Sequence, residues 1–354
     1  MTCRYVVSRV DPRSVEPDLM RIWHDNLPVL GDVRAKLRWS YHEAPECPPF
    51  VYVLNAVEGD RPPRVVGSAG VAVRRFSGIA GELRVALGCD LAVDPPHRIL
   101  QPALQVVREV RRDTGSEYDL TYNFPNRRAR GLYARAGYHH LGAMTRYVRV
   151  LRSAPYLARH VPHAVARLAA APIDIVRRAR HVVPTQRAAR RFQIEWLDEV
   201  DERFDALWLA ARPTYGIIGR RDASWLRWRC LANPSGRAQV AALVDRRSAT
   251  LRAYAIVQQT ADVVHLTDLF GLPGHVDSLL ALLCPVLRAA GATSVSVAYL
   301  GSASMVELLA KHDFQAREAE RHVYVGVGNA ITGVGRTRAL DAESWHLTDY
   351  DEDN

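Results

Sequence analysis

Across the first 150 residues, runs of alternating apolar and polar positions are separated by stretches of helical period, as expected for strands interleaved with amphipathic helices. The pattern predicts a strand over 4–10, helices over 16–26 and 32–43, and strands over 50–57, 64–74 and 83–93. Gly59-Asp60 and Pro62-Pro63 mark the turn between the two strands of the first pair. Pro95-Pro96 ends the third long strand. Beyond it the pattern predicts a helix over 99–114, a strand over 117–122, a helix over 126–137 and a closing strand over 144–151.

The stretch Asn123 to His140 reads N-F-P-N-R-R-A-R-G-L-Y-A-R-A-G-Y-H-H. Asn126, Ala129, Tyr133 and Gly137 follow at steps of three, four and four, which places them on one face of a helix. Pro125 suits a first helical turn, where its missing N–H costs nothing, and Gly137 suits the left-handed position that ends a helix.

The second half echoes the first. Leu37-Arg38-Trp39 with Pro45 returns as Leu226-Arg227-Trp228 with Pro234, and Asp90-Leu91 returns as Asp268-Leu269. The strand over 64–74 corresponds to 250–258, and the helix over 126–137 to 302–313, with Phe314 in the place of Tyr138. The echoes keep their order while the offset drifts from 189 through 178 to 176, as if loops alone had changed length.

A strand, a short N-P loop and the pattern N-x-x-A-x-x-x-Y-x-x-x-G with an aromatic behind it resemble the last αβ unit of the GNAT acyltransferase superfamily, with Tyr138 where that pattern has Phe. The resemblance implies an α/β (α+β) fold of two tandem GNAT units, each a mixed, mostly antiparallel sheet flanked by helices. Residues 1–151 would be the N-terminal unit, 152–195 an arginine-rich helical linker, 196–327 the C-terminal unit and 328–354 an acidic tail. It also implies an acyltransferase that moves an acyl group from acyl-CoA (acetyl-CoA included), or from an acyl carrier protein, to a small-molecule amine by direct attack. No metal and no covalent enzyme intermediate are implied.

The resemblance assigns candidate residues. The family's phosphate cradle, R/Q-x-x-G-x-G/A, lets backbone N–H groups at a helix N-terminus approach the coenzyme pyrophosphate. Here the matching stretch runs from Arg98 to Ala103. Arg98 and Ala103 fit, Gln101 replaces the first glycine, and Pro102 has no N–H to give. An atypical cradle and an ordinary strand-to-helix loop both remain open. Val93 ends the strand that in the family splays from its neighbour and offers a backbone N–H to the thioester oxygen. Asp90 on that strand is a candidate base for the amine proton, or an ordinary polar or capping residue. Tyr133 is a candidate acid for the leaving thiolate, or a packed core tyrosine. Asn126 either caps its helix or meets the pantetheine arm. The second copy reads Gly271-Leu272-Pro273-Gly274-His275 without an arginine, and has Leu309 for Tyr133 and Ser302 for Asn126. His275 could still meet a phosphate, but the donor is expected in the first unit.

Composition adds local detail. The hydrophobic fraction is 48% and the charged fraction 24%, as in soluble globular chains. No apolar run suits a membrane span and no signal-peptide core opens the chain, so the cytoplasm is expected. Cys3, Cys47, Cys89, Cys230 and Cys284 are scattered, which suggests neither a disulfide framework nor a zinc site. The net charge is +9, and Lys36 and Lys311 are the only lysines. Nine arginines and one acid, Asp174, lie between positions 152 and 191, so this segment carries +8. Its prolines predict short pieces, with Leu157, Val161, Val165 and Leu168 as a packed face. An acyl carrier protein, an anionic membrane or RNA would each suit such charge, but no aromatic interleaving favours nucleic acid. The six acids of residues 341–354 suggest a solvated end, or one folded against the linker. Trp39 and Trp228 are expected to pack inside their own repeats, and Arg220-Arg221-Asp222 to form an exposed charge cluster.

Two rival functions remain. A Fem-type aminoacyl-tRNA-dependent transferase is also tandem and basic, though this sequence predicts no long helical arm. A non-catalytic binding protein that kept the fold and lost the cradle is the other.

Overall fold

The computed structural model describes residues 3–28, 31–45, 49–78, 81–234, 236 and 238–352. The first half runs β1 (Arg4–Val10), α1 (Glu16–Asn26), α2 (Val33–Leu37), β2 (Phe50–Val57), β3 (Arg64–Gly78), β4 (Gly81–Val93), α3 (Leu100–Glu117), β5 (Leu120–Asn123), α4 (Arg130–Arg135) and β6 (His139–Val150). This is the predicted element order. Two helices, α5 (Ala154–Leu157) and α6 (His163–Arg191), then lead into the second half. That half runs β7 (Phe192–Leu197), α7 (Arg203–Ala211), β8 (Ile217–Gly219), α8 (Ala223–Leu226), β9 (Gln239–Asp245), β10 (Leu251–Thr260), β11 (Val263–Gly271), α9 (His275–Ala289), β12 (Ser294–Gly301), α10 (Ala303–Lys311) and β13 (Gln315–Val327). The chain closes with α11 (Gly333–Ala339) and β14 (Trp345–Thr348).

The repeat is visible in local geometry. Asp32 and Asp222 cap α2 and α8 by accepting from the backbone N–H of Arg34 at 2.9 Å and of Trp225 at 3.0 Å. Both helices then widen into a π-helical turn, Arg38–His42 and Arg227–Leu231, so the single α-helix expected over 32–43 is two helical forms in series. Trp39 and Trp228, expected to pack inside their own repeats, meet across them, although Trp228 also packs edge-on against Trp225 of its own, 5.1 Å away. They stack on each other, centroids 4.9 Å apart, and each indole N–H donates to the other's carbonyl, at 2.8 and 3.0 Å. The bonds are reciprocal, so the two turns meet as equivalents.

The expected pair of separate sheets is instead one 14-stranded sheet, with the strand order β1-β2-β3-β4-β5-β13-β6-β12-β11-β10-β9-β7. β13, from the second half, lies between β5 and β6, and β6, from the first half, lies between β13 and β12. Each half therefore satisfies an edge that the other would leave bare. β14 pairs with β12 and β8, and β8 reaches β3, which closes a ring of strands. Phe76, Tyr122, Met144, Val323, Trp345 and Leu347 belong to one buried cluster drawn from both halves and the C-terminal segment.

Two further expectations are corrected. Residues 163–191 form one continuous helix despite Pro172 and Pro184. Each proline frees the carbonyl four residues earlier, at Leu168 and Arg180, both exposed residues where water can serve it. The face it buries is Ala166, Ala170, Asp174 and Ala188, whereas Val165 and Leu168, expected to pack, are exposed. The acidic C-terminal segment is likewise not a solvated end. Trp345, His346, Leu347, Thr348, Asp351 and Glu352 are buried, and the acids meet arginines outside the linker. Arg221, expected in an exposed cluster, is fully buried; it bonds Asp268 at 3.1 Å and Asp351 at 2.7 Å. Arg229 donates to the carbonyls of Tyr350 and Glu352, and Arg321 pairs with Asp349 and Glu352.

Candidate active site

The parallel pairing of β4 with β5 runs from Val85–Leu120 to Gly88–Asn123 and stops there. β5 ends, while β4 continues to Val93 on the edge of β3. The strands part where β4 bulges: two steps along β3, Ser68 to Gly70, face three along β4, Ala92 to Cys89. Asp90 sits in that bulge with φ 49°, a left-handed value uncommon outside glycine but more open to aspartate than to most residues. The strain is held by its partners. Lys36 Nζ donates to Asp90 Oδ1 at 2.5 Å and the Tyr41 hydroxyl to Oδ2 at 2.8 Å. Burial, with the Asp90 charge adding, holds the Tyr41 phenol well above its ordinary pKa, so it keeps its proton and donates. Gly70 is required for this approach, since a Cβ there would fall 1.8 Å from the Tyr41 oxygen.

Past the parting point lies a cleft of about 370 Å³. Asp90, Asn126, Tyr133, Lys36, Arg321 and Glu352 are among the residues that line it. Tyr133 is 7% exposed, with one side against Tyr138 and Tyr324 at ring distances of 5.3 and 6.2 Å. It is thus both a packed aromatic and a wall of the cleft. α4 begins at Arg130, four residues later than predicted. Before it, Asn126 Oδ1 accepts from the N–H groups of Arg128 and Ala129, both at 3.1 Å, so its side chain caps that turn. Gly137 has φ 85° and ends α4 as expected, with the Tyr138 N–H returning to the Tyr133 carbonyl at 3.1 Å.

Of the sequence candidates, Asp90, Asn126 and Tyr133 meet in one cleft, while Val93, Arg98, Gln101 and Ala103 lie outside its lining. Arg98 folds back, donating from Nε to the Val93 carbonyl at 2.8 Å and from Nη2 to Asn26. Gln101 is exposed at the start of α3, Ala103 is half-buried, and no side chain caps the first turn of that 18-residue helix. Lys36, Tyr41, Arg321 and Glu352 went unnoticed in the sequence. Only the scarcity of lysine pointed to the first of them.

The second half has the same parting of strands, but it is filled. β11 pairs with β12 from Val263–Ser294 to Leu266–Val297, beside a bulge between Leu266 and Asp268. Where they separate, β14 takes the vacated edge of β12 at Tyr299, Leu300 and Gly301. His346 lies there between Tyr215 and Tyr299, and Asp268, the echo of Asp90, accepts from Tyr254, Thr348 and Arg221. Leu309 is fully buried. His275 stands edge-on to Phe192, 5.4 Å away.

No protein-family model matches this sequence, and no curated protein matches it. Solved structures do match in fold. A conserved protein from Enterococcus faecalis described as a probable N-acyltransferase superposes with a TM-score of 0.63 at 12% identity, over 92% of this chain and 73% of that one. A GCN5-related N-acetyltransferase from Anabaena variabilis gives 0.61 at 14% identity, over 91% and 72%. A tandem GNAT protein from the clavulanic acid biosynthesis pathway gives 0.50 at 15% identity, over 94% of this chain and all of that one. At these identities the likeness is one of architecture, and the architecture of this chain is the mixed α/β fold of the GNAT superfamily.

Proposed function

We propose that the chain is an N-acyltransferase that passes an acyl group from a coenzyme A thioester to an amine, with the donor held by the first of two tandem GNAT units. In this reading residues 1–151 form the donor unit, 152–195 the link, 196–327 a second unit without donor site, and 328–354 the segment that seals it. The observation that carries the reading is the contrast between the two strand gaps. The β4/β5 gap opens on a cleft lined by a phenol and a carboxylate, while the β11/β12 gap is occupied by β14.

The residues present fit a thioester donor in part. The uncapped first turn of α3 offers the N–H groups of Leu100 and Gln101 to a pyrophosphate, and Arg98 adds positive charge beside it. Pro102 offers no N–H, so the phosphate grip is looser than glycines would give. The backbone of β4 between its bulge and Val93 is unpaired on the β5 side and aligns the acyl carbonyl. The thioester supplies the activated acyl group. The amine nitrogen bonds to the carbonyl carbon, the C–S bond breaks, and Tyr133 gives its proton to the departing sulfur. Asp90, fixed by Lys36 and Tyr41, receives the proton that the amine sheds, and its return to the tyrosinate restores the site.

The test is acetyl-CoA binding and single-turnover acylation. Arg98→Glu is expected to weaken binding roughly 10–100-fold, the scale of a lost charge-assisted contact. Tyr133→Phe is expected to keep binding and slow turnover about 10²–10⁴-fold, the range of general acid catalysis. Absence of acyl-CoA binding by the wild type would reject the donor, and unchanged turnover in Tyr133→Phe would remove the acid.

One observation favours the Fem-type alternative: the arginine-rich link is a long helix after all. RNA that copurifies and leaves with a steep salt dependence would promote it.

A further inference from the structure

A second cleft, of about 460 Å³, lies between β6, α6 and α9, away from the candidate active site. Five arginines line it, Arg149, Arg152, Arg177, Arg178 and Arg288, together with His181. Among the described residues two carboxylates answer them, and both are engaged. Asp174 accepts from the Ser153 N–H at 3.1 Å and from Arg288 at 3.2 Å, and Asp313 pairs with His181 at 2.7 Å. Positive charge is therefore in excess at this place.

Two guanidinium atoms there have no hydrogen-bond partner although they are buried: Arg149 Nη1 and Arg152 Nε. Arg149 is 8% exposed, so water does not reach it freely. A buried cationic N–H without a protein acceptor is costly, and it calls for a ligand, an ion or an ordered water to complete it. Beside the polar Thr185 and Gln186, the lining has an apolar part, Leu151, Val182, Pro285 and Ala289, next to the buried thiol of Cys284. The cleft is of a size that takes a small organic ligand, for which ~300–1,000 Å³ is usual.

We propose that this cleft binds an anionic amphiphile, a phosphate or carboxylate headgroup on a hydrocarbon chain. The headgroup accepts from Arg149 and Arg152, and the chain lies over Leu151, Val182, Pro285 and Ala289. The same chemistry is offered by a free amphiphile and by a lipid in an anionic bilayer, and the proposal covers both. It does not depend on the acyl-transfer reading, since none of these residues lines the first cleft.

Calorimetric titration of the full chain with dodecyl phosphate, below the concentration at which it forms micelles, tests the proposal. One-to-one binding is expected, weakened roughly 10–100-fold in Arg149→Met. Ala289 is exposed, so Ala289→Trp keeps the fold and is expected to fill the groove and abolish binding. Dodecyltrimethylammonium, with the same chain and opposite charge, is expected not to bind. Sedimentation with phosphatidic acid vesicles then separates the sources. Co-sedimentation lost in Ala289→Trp identifies a bilayer lipid, and binding of the dispersed amphiphile alone identifies a free one. No binding by the wild type, binding unaltered in Ala289→Trp, equal binding of inorganic phosphate, or displacement by acetyl-CoA would each overturn the proposal.

Discussion

Arg221→Met tests how the C-terminal segment is held. In the native chain this guanidinium is fully buried; it bonds Asp268 through Nε and Nη2, Asp351 through Nη2 at 2.7 Å and the Gly219 carbonyl through Nη1 at 2.8 Å. Methionine fills much of the volume but leaves two buried carboxylates without their cation. Removing one partner of such a cluster costs about 3–5 kcal/mol. Unfolding entropy of about 2.1 cal/mol/K per residue gives roughly 0.7 kcal/mol/K for 354 residues, so Tm should fall by about 4–7 °C. Differential scanning fluorimetry at pH 7.5 reads this directly. The deficit should also depend on pH. Burial already raises the Asp351 carboxyl against the pull of Arg221, and in the variant that pull is gone, so the fold binds a proton that the unfolded chain releases and stability falls as pH rises through that window. The loss should accordingly shrink toward pH 5. A Tm within 1 °C of wild type, or a deficit that grows on acidification, would refute the argument that charge balance holds this segment in place.

Burial, with Arg221 adding, holds His346 down at about 3, so it is neutral in the fold. The unfolded chain takes up that proton below about pH 6.5, so stability should fall as pH drops from there toward 3, by up to ~1.4 kcal/mol per unit. Urea titrations of His346→Gln should show a flatter pH dependence, and an identical slope would exclude this histidine as the cause. Trp39→Phe and Trp228→Phe each lose one indole bond and part of the stack, at a cost of about 1–2 kcal/mol in chemical denaturation. The double variant should cost less than the two together, because both remove the same contact; strict additivity would mean the rings do not act as a pair.

The local elements were legible because local chemistry writes them. Pro17 in the first turn and an apolar stripe place α1 at 16–26, and apolar runs of strand length place β1 and β2 at the predicted residues. The repeat was legible through Leu-Arg-Trp, since the same π-turn recurs with the same aspartate cap. What alternation cannot write is the partner: a period of two says which face of β6 or β13 is inside, not which strand of which half lies beside it. The acidic end looked solvated because Arg221, Arg229 and Arg321 stand far from it along the chain. The linker looked broken because proline is penalised in a helix, yet an exposed helix meets that penalty with water. In the candidate site, Tyr133, Asp90 and Asn126 came from a motif that keeps its spacing. Lys36 and Tyr41 reach Asp90 from a helix some fifty positions earlier, a contact with no local trace.

The traded positions of β6 and β13 bind the two copies more closely than a linker would. A chain cut within α6 would give two pieces, each missing the neighbour that completes its central sheet and each offering a bare edge. Such pieces should stay largely unstructured apart and regain one molecule when mixed, which makes this protein a natural split reporter. Deleting either half would strip the other of a strand at the middle of its own sheet.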